Sequence, residues 1–113
     1  MTWFSSRLHT TLYHRTWQKH AEQIMKDGFR NGVGRYLTDK QHQGVWFSDR
    51  PLDSSEGADG DTLLVLDIGM TDQELEEFEW TEEGKPYREW LIPAEVINPH
   101  IRSLKVSDEE RTW

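Results

Sequence analysis

A chain of 113 residues without cysteine has the size of one domain, residues 1–113 with a core expected over about 11–106, and it carries neither disulfides nor thiolate chemistry. Its formal net charge of −8 is uneven: residues 1–60 hold eight basic and seven acidic groups, a net of +1, and residues 61–113 hold five and 14, a net of −9, which argues against broad binding to a phosphate backbone. It begins at Met1 with no charged-then-apolar leader, and no apolar run nears the roughly 20 residues that cross a bilayer, so a cytoplasmic protein with no membrane partner is expected.

Residues 11–16 are short, partly apolar and β-favouring, and predict a strand. Residues 17–27 place Trp17, His20, Ala21, Ile24 and Met25 near an i, i+3, i+4, i+7, i+8 stripe, which predicts an amphipathic helix burying that face, with Thr16 as N-cap and Gly28 as the stop. Residues 31–34 read as a turn, 45–48 as a second strand, and 50–60, rich in Pro, Asp, Ser and Gly, as a surface loop. The apolar run within 62–68 predicts a central strand. Thr71-Asp72-Gln73-Glu74 has the form of a capping box opening a short helix to about Phe78, and 82–86 is a turn. Residues 87–92 predict a strand stopped by Pro93, 93–97 a helical turn with Pro at N1, 100–106 a last strand, and 107–113 a frayed tail. The class is α+β, small mixed and mostly antiparallel sheets with one main helix.

Three of these segments carry chemistry. Leu12-Tyr13-His14-Arg15-Thr16 holds a polar residue in a strand, Gly44-Val45-Trp46-Phe47-Ser48-Asp49 an aromatic one, and Tyr87-Arg88-Glu89-Trp90-Leu91-Ile92 a carboxylate. Cleavage of an N-glycosidic bond passes through an oxocarbenium-like sugar, which a fixed carboxylate stabilises. An aromatic face holds the leaving ring, and a neutral His anchored through one nitrogen donates to a ribose hydroxyl with the other. Arg15, Lys19 and Arg35 are the candidates to pair with a pyrophosphate. Alternation along a strand points Tyr87 the same way as Glu89, which makes it a candidate wall.

In this order the segments, with the intervening Ile24-Met25-Lys26-Asp27-Gly28-Phe29, resemble the ADP-ribosyltransferase superfamily over roughly residues 11–97. Those chains carry a strand ending in His-Gly-Thr, a helix ending in Ile-Leu-x-x-Gly-Leu, a Gly-Ile-Tyr-Phe-Ala-Asp strand and a late Asn-Glu-Tyr-type strand. The resemblance implies an ADP-ribosyltransferase-like fold that takes NAD as substrate and needs no metal. It implies that Glu89 is catalytic, that His14 binds the adenosine ribose, and that Arg15 offers its backbone to the nicotinamide amide where the family has Gly. Thr16 ends the motif, Trp46 stands where Tyr stacks on nicotinamide, and Ser48 assists at the nicotinamide riboside. The acceptor, a protein or small molecule rather than a nucleic acid, is not readable.

Each residue also has an ordinary reading: His14 as a hydrogen-bonded core histidine, Glu89 in a salt bridge, Trp46 as packing, Ser48 as a strand end. Three rival functions therefore stand beside the transferase. One is a degenerate nucleotide-binding domain of the same fold, one an RNA 2′-phosphotransferase-like enzyme, against which the acidic second half argues, and one an interaction module using Trp3, Trp80 and Trp113. His9, His14, His20, His42 and His100 show no zinc-like spacing.

Overall fold

The computed structural model describes residues 10–33, 43–52, 60–81 and 83–107. In chain order the elements are β1 (Thr10–Thr16), α1 (Gln18–Asp27), β2 (Gly32–Val33), β3 (Gln43–Ser48), β4 (Thr62–Ile68), α2 (Asp72–Leu75), β5 (Glu79–Trp80), β6 (Glu89–Ile92), α3 (Ala94–Ile97) and β7 (Ile101–Val106), with single 3-10 turns at Glu76–Phe78 and Asn98–His100. Six strands lie side by side in the order β5-β6-β3-β1-β4-β7, and β2 pairs with β3. Among the described residues every pairing is antiparallel. The protein is thus a small α+β domain with an antiparallel sheet and three short helices. None of the described helices is long and apolar enough to cross a membrane.

The pleat sorts the sheet into two faces. Leu12, Leu64, Leu66, Ile68, Val45, Phe47, Trp90 and Ile92 project to one side, where they join Ala21 of α1, Leu75 of α2 and Ala94 and Ile97 of α3 in one buried cluster. The run at 62–68 forms the expected strand, and because Leu63 is buried as well as Leu64, β4 is covered on both faces. The segment 49–52 is tied to that second face: Leu52 is buried and its carbonyl accepts a hydrogen bond from Arg15 Nε, whose registered partner is Leu63. The start of the expected surface loop is therefore packed, and 53–59 lie outside the described residues.

Several local expectations change. Thr16 does not cap α1. The N-cap is Trp17, without a side-chain bond, and the exposed first-turn N–H of Gln18 is met from a distance by Asp61 Oδ1 at 3.0 Å. The buried stripe of α1 is narrower than its periodicity suggests. Ala21 is buried and Ile24 packs on the core, whereas Trp17 and Met25 are 51% and 46% exposed and His20 is exposed, because a helix of ten residues laid on a sheet buries only the side facing it. Gly28 ends α1 as expected, its N–H returning to Ile24 O. The following loop is clamped: Phe29 N–H donates to Asn98 Oδ1 at 2.9 Å, and Asn98 Nδ2 donates to Phe29 O at 3.0 Å. Asn31 Oδ1 accepts from Ala94 N. Residues 32–33, expected in a turn, pair as β2.

The capping box of α2 forms in both directions: Thr71 Oγ1 accepts from Glu74 N and Glu74 Oε1 accepts from Thr71 N. Pro93 takes the N-cap of α3 and not N1. β6 starts at Glu89, two residues later than expected, so Tyr87 lies in the preceding turn. The expected frayed tail falls, beyond Ser107, outside the described residues, as do Trp3, Arg35 and Trp113.

Candidate functional site

The sheet order brings the three chemistry-bearing segments together. β6, β3 and β1 are consecutive neighbours, although Glu89 and His14 lie far apart in the chain. Registered partners point to one face, and a single row runs across the sheet: Trp80 opposite Glu89, Glu89 opposite Ser48, Ser48 opposite Tyr13, Tyr13 opposite Val65. Glu89, Ser48 and Trp46 thus share the face away from the main core. Trp46 meets Trp80 edge to face, ring centroids 5.5 Å apart. This aromatic corner beside a carboxylate has the elements needed to hold a flat ring near a developing positive charge.

Glu89 is mostly covered, its side chain 15% exposed, and Lys85 Nζ donates to its Oε1 at 2.7 Å. Lys85 Nζ also lies 5.3 Å from the centre of the Tyr87 ring, and Arg50 Cζ lies 5.5 Å from the same point. Tyr87 is therefore near Glu89 by way of Lys85, through the turn and not through strand alternation. Ser48 is buried, and its hydroxyl donates to Arg50 O at 2.7 Å.

β1 and β3 are registered only at Tyr13 and Ser48, while β1 follows β4 along its whole length. Past that point a side chain joins the two strands: His14 Nδ1 lies 2.7 Å from Trp46 O. A carbonyl only accepts, so Nδ1 carries the proton. The neutral ring then has a lone pair at Nε2 and can accept from a hydroxyl but not donate to one, which corrects the role expected for this nitrogen. Burial lowers the His14 pKa below its ordinary value, against the raising effect of the Trp46 carbonyl, and so favours the neutral ring. The imidazole packs against Phe29 and Phe47, with centroids 5.3 and 5.6 Å away.

His14 shares its face of β1 with Leu12 and Thr16, so the pleat sets it on the core side while Arg15 turns to the Glu89 side. Thr16 is buried at the strand end. The structure thus gathers Glu89, Ser48, Trp46 and, through Lys85, Tyr87, and sets His14 at the seam between β1 and β3. Of the three cations expected near a pyrophosphate, Arg15 donates to Leu52 O, Lys19 is exposed on α1, and Arg35 is outside the described residues.

Lys85, Arg50 and Phe29 were not singled out as site residues from sequence, and Trp80 was named only as part of an interaction surface. Trp80 sits on a two-residue strand too short to show a period. Lys85, Arg50 and Phe29 are placed by the turn before β6 and by tertiary contacts, for which no spacing rule gives a signal. Among the described residues no group of three or more His, Asp or Glu is arranged to hold a metal ion. The chain matches no protein-family model, no curated protein and no solved structure.

Proposed function

We propose that the chain is an ADP-ribosyltransferase-like domain that binds NAD along the β1–β3 seam, cleaves its nicotinamide N-glycosidic bond and passes ADP-ribose to an acceptor or to water. The observation that carries this reading is the neighbour order β6-β3-β1. One ligand must touch all three segments of the resemblance, and they are adjacent strands. In this reading the Glu89 carboxylate faces the ribose and stabilises the positive charge that grows as the bond to nicotinamide breaks. Trp46, set against Trp80, offers an aromatic surface to the leaving ring. His14, on the core side of that seam, ties β1 to β3 through the Trp46 carbonyl and so positions the strands that carry the site.

A second reading is favoured by one contact. Lys85 occupies Oε1 of Glu89. If that pairing persists with ligand bound, the domain binds a nucleotide without turning it over.

Thermal unfolding with and without NAD, together with nicotinamide release, separates the two in the wild type, Glu89→Gln and His14→Ala. NAD at 100 times its dissociation constant adds about 2.7 kcal/mol of stability. The transferase reading expects that shift in the wild type and release reduced at least about 100-fold in Glu89→Gln. Stabilisation without release in the wild type supports the binder. No shift at any NAD concentration sinks both.

A further inference from the structure

We infer that Arg50, Lys85 and Tyr87 form an anion subsite at the mouth of the Glu89 site, built for a phosphate or diphosphate group, and that an anion seated there draws Lys85 away from Glu89. The inference deepens the NAD reading and rests on it for the role of Glu89; the subsite itself can be tested with an anion alone.

Two cations converge on one aromatic ring. The guanidinium carbon of Arg50 and the ammonium of Lys85 lie 5.5 and 5.3 Å from the centre of Tyr87, within the range at which a ring holds a cation. They come from different parts of the chain, Arg50 from the bend after β3 and Lys85 from the turn before β6. Both are tied to the row that carries Glu89. The Arg50 carbonyl accepts from Ser48 Oγ, whose residue is registered opposite Glu89, and Lys85 Nζ donates to Glu89 itself. A phosphate meeting both cations would therefore stand next to the carboxylate.

Charge over the rest of the chain makes such local cations necessary. Residues 61–113 carry a net of −9, a field that repels phosphate at a distance. Capture then depends on close, charge-assisted contacts, for which Arg supplies a planar fork and Lys a movable point charge. The expected alternatives are poorly placed. Arg15 donates to Leu52 O, and Lys19 lies on α1, which packs on the opposite face of the sheet from Glu89.

Lys85 gives the subsite its consequence. Its side chain is 28% exposed and its ammonium rests on Glu89 at 2.7 Å. A diphosphate competes with the carboxylate for that ammonium with two negative charges against one. As Lys85 turns to the phosphate on its flexible stem, the Glu89 Oε1 it held turns to the sugar. Ligands without a phosphate, such as nicotinamide riboside, leave Lys85 on Glu89 and are poor substrates.

The test is calorimetric titration of the full chain with inorganic pyrophosphate, in the wild type, Arg50→Gln and Lys85→Gln, with thermal unfolding to show that each variant folds. Arg50 is exposed, so its variant keeps the test sound if Lys85→Gln is unstable. Saturable binding in the wild type, weakened at least about tenfold in either folded variant, is expected from the loss of one charge-assisted contact. No saturable binding, or equal binding in the variants, overturns the subsite. Titration in the presence of NAD identifies the source of the phosphate. Competition assigns the subsite to the diphosphate of NAD, joint binding to a phosphate on the acceptor, and both outcomes support it. Pyrophosphate binding without NAD binding sinks the NAD reading alone. NAD binding with no pyrophosphate site sinks this inference alone.

Discussion

Gly60→Ala tests how the end of β1 is held beside the site. Gly60 has φ +143°, and a Cβ there would stand 2.2 Å from Thr16 O, 2.4 Å from Thr16 C and 2.8 Å from Thr16 Cα. All three are backbone atoms of a strand paired with β4, so no flexible side chain can move aside. The next residue, Asp61, accepts from Gln18 N at 3.0 Å and from Thr62 Oγ1 at 2.9 Å, so displacing this corner also disturbs the start of α1. Backbone strain of about 1–3 kcal/mol and overpacking of about 1–3 kcal/mol together predict a loss of about 2–6 kcal/mol. At about 4 °C per kcal/mol for a domain of this size, Tm falls by about 8–24 °C in scanning calorimetry. Gly84→Ala is the control. Its φ is +88°, but nothing lies within 4 Å of a Cβ there, so only the strain remains, about 1–2 kcal/mol. Equal losses in the two variants would refute the contact between Gly60 and Thr16 as the cause.

The remaining expectations concern the clamp, the seam and an ion-pair network. Asn98→Ala removes both hydrogen bonds to the Phe29 backbone and lowers the unfolding free energy by about 2–4 kcal/mol in urea; a change below about 0.5 kcal/mol would mean that packing alone holds Phe29. His14 has a folded pKa below 6.5, so the unfolded chain takes up the proton first as pH falls. Its contribution to stability is complete above about pH 6.5 and is lost as pH falls through the lower folded value. Urea midpoints between pH 8 and 5 should show this slope in the wild type and not in His14→Gln; the same slope in both would assign it elsewhere. Glu79 accepts two hydrogen bonds from Arg88, which lower its pKa, so its contribution is present above about pH 4.5 and disappears as pH falls through the folded value. Glu79→Gln should flatten the acid limb of the stability curve, and an unchanged limb would remove this pair from the account.

Much of the local structure was legible because it depends on neighbours in the chain. The capping box at Thr71 and Glu74, the stop at Gly28 and the apolar strand Thr62–Ile68 each need only a few consecutive residues to declare themselves. The errors came where a distant group replaced the local one. Asp61 meets the first turn of α1 in place of Thr16, and Leu52, its carbonyl bonded to Arg15, is buried in a segment that reads as exposed. The narrow buried side of α1 follows from what it packs on, which periodicity does not contain.

The same division holds at the candidate site. Sequence alone determined that a histidine, an aromatic residue and a carboxylate sit in three strand-forming segments, since side-chain type and short-range β preference are properties of the segment itself. Tertiary structure decided that β6, β3 and β1 are neighbours and that Trp80, Glu89, Ser48 and Tyr13 form one row. It also set His14 Nδ1 on the Trp46 carbonyl and Lys85 on Glu89. Strand order and register come from burying one face of β1, β3, β4 and β6 in a common core, and that condition acts on distant parts of the chain at once.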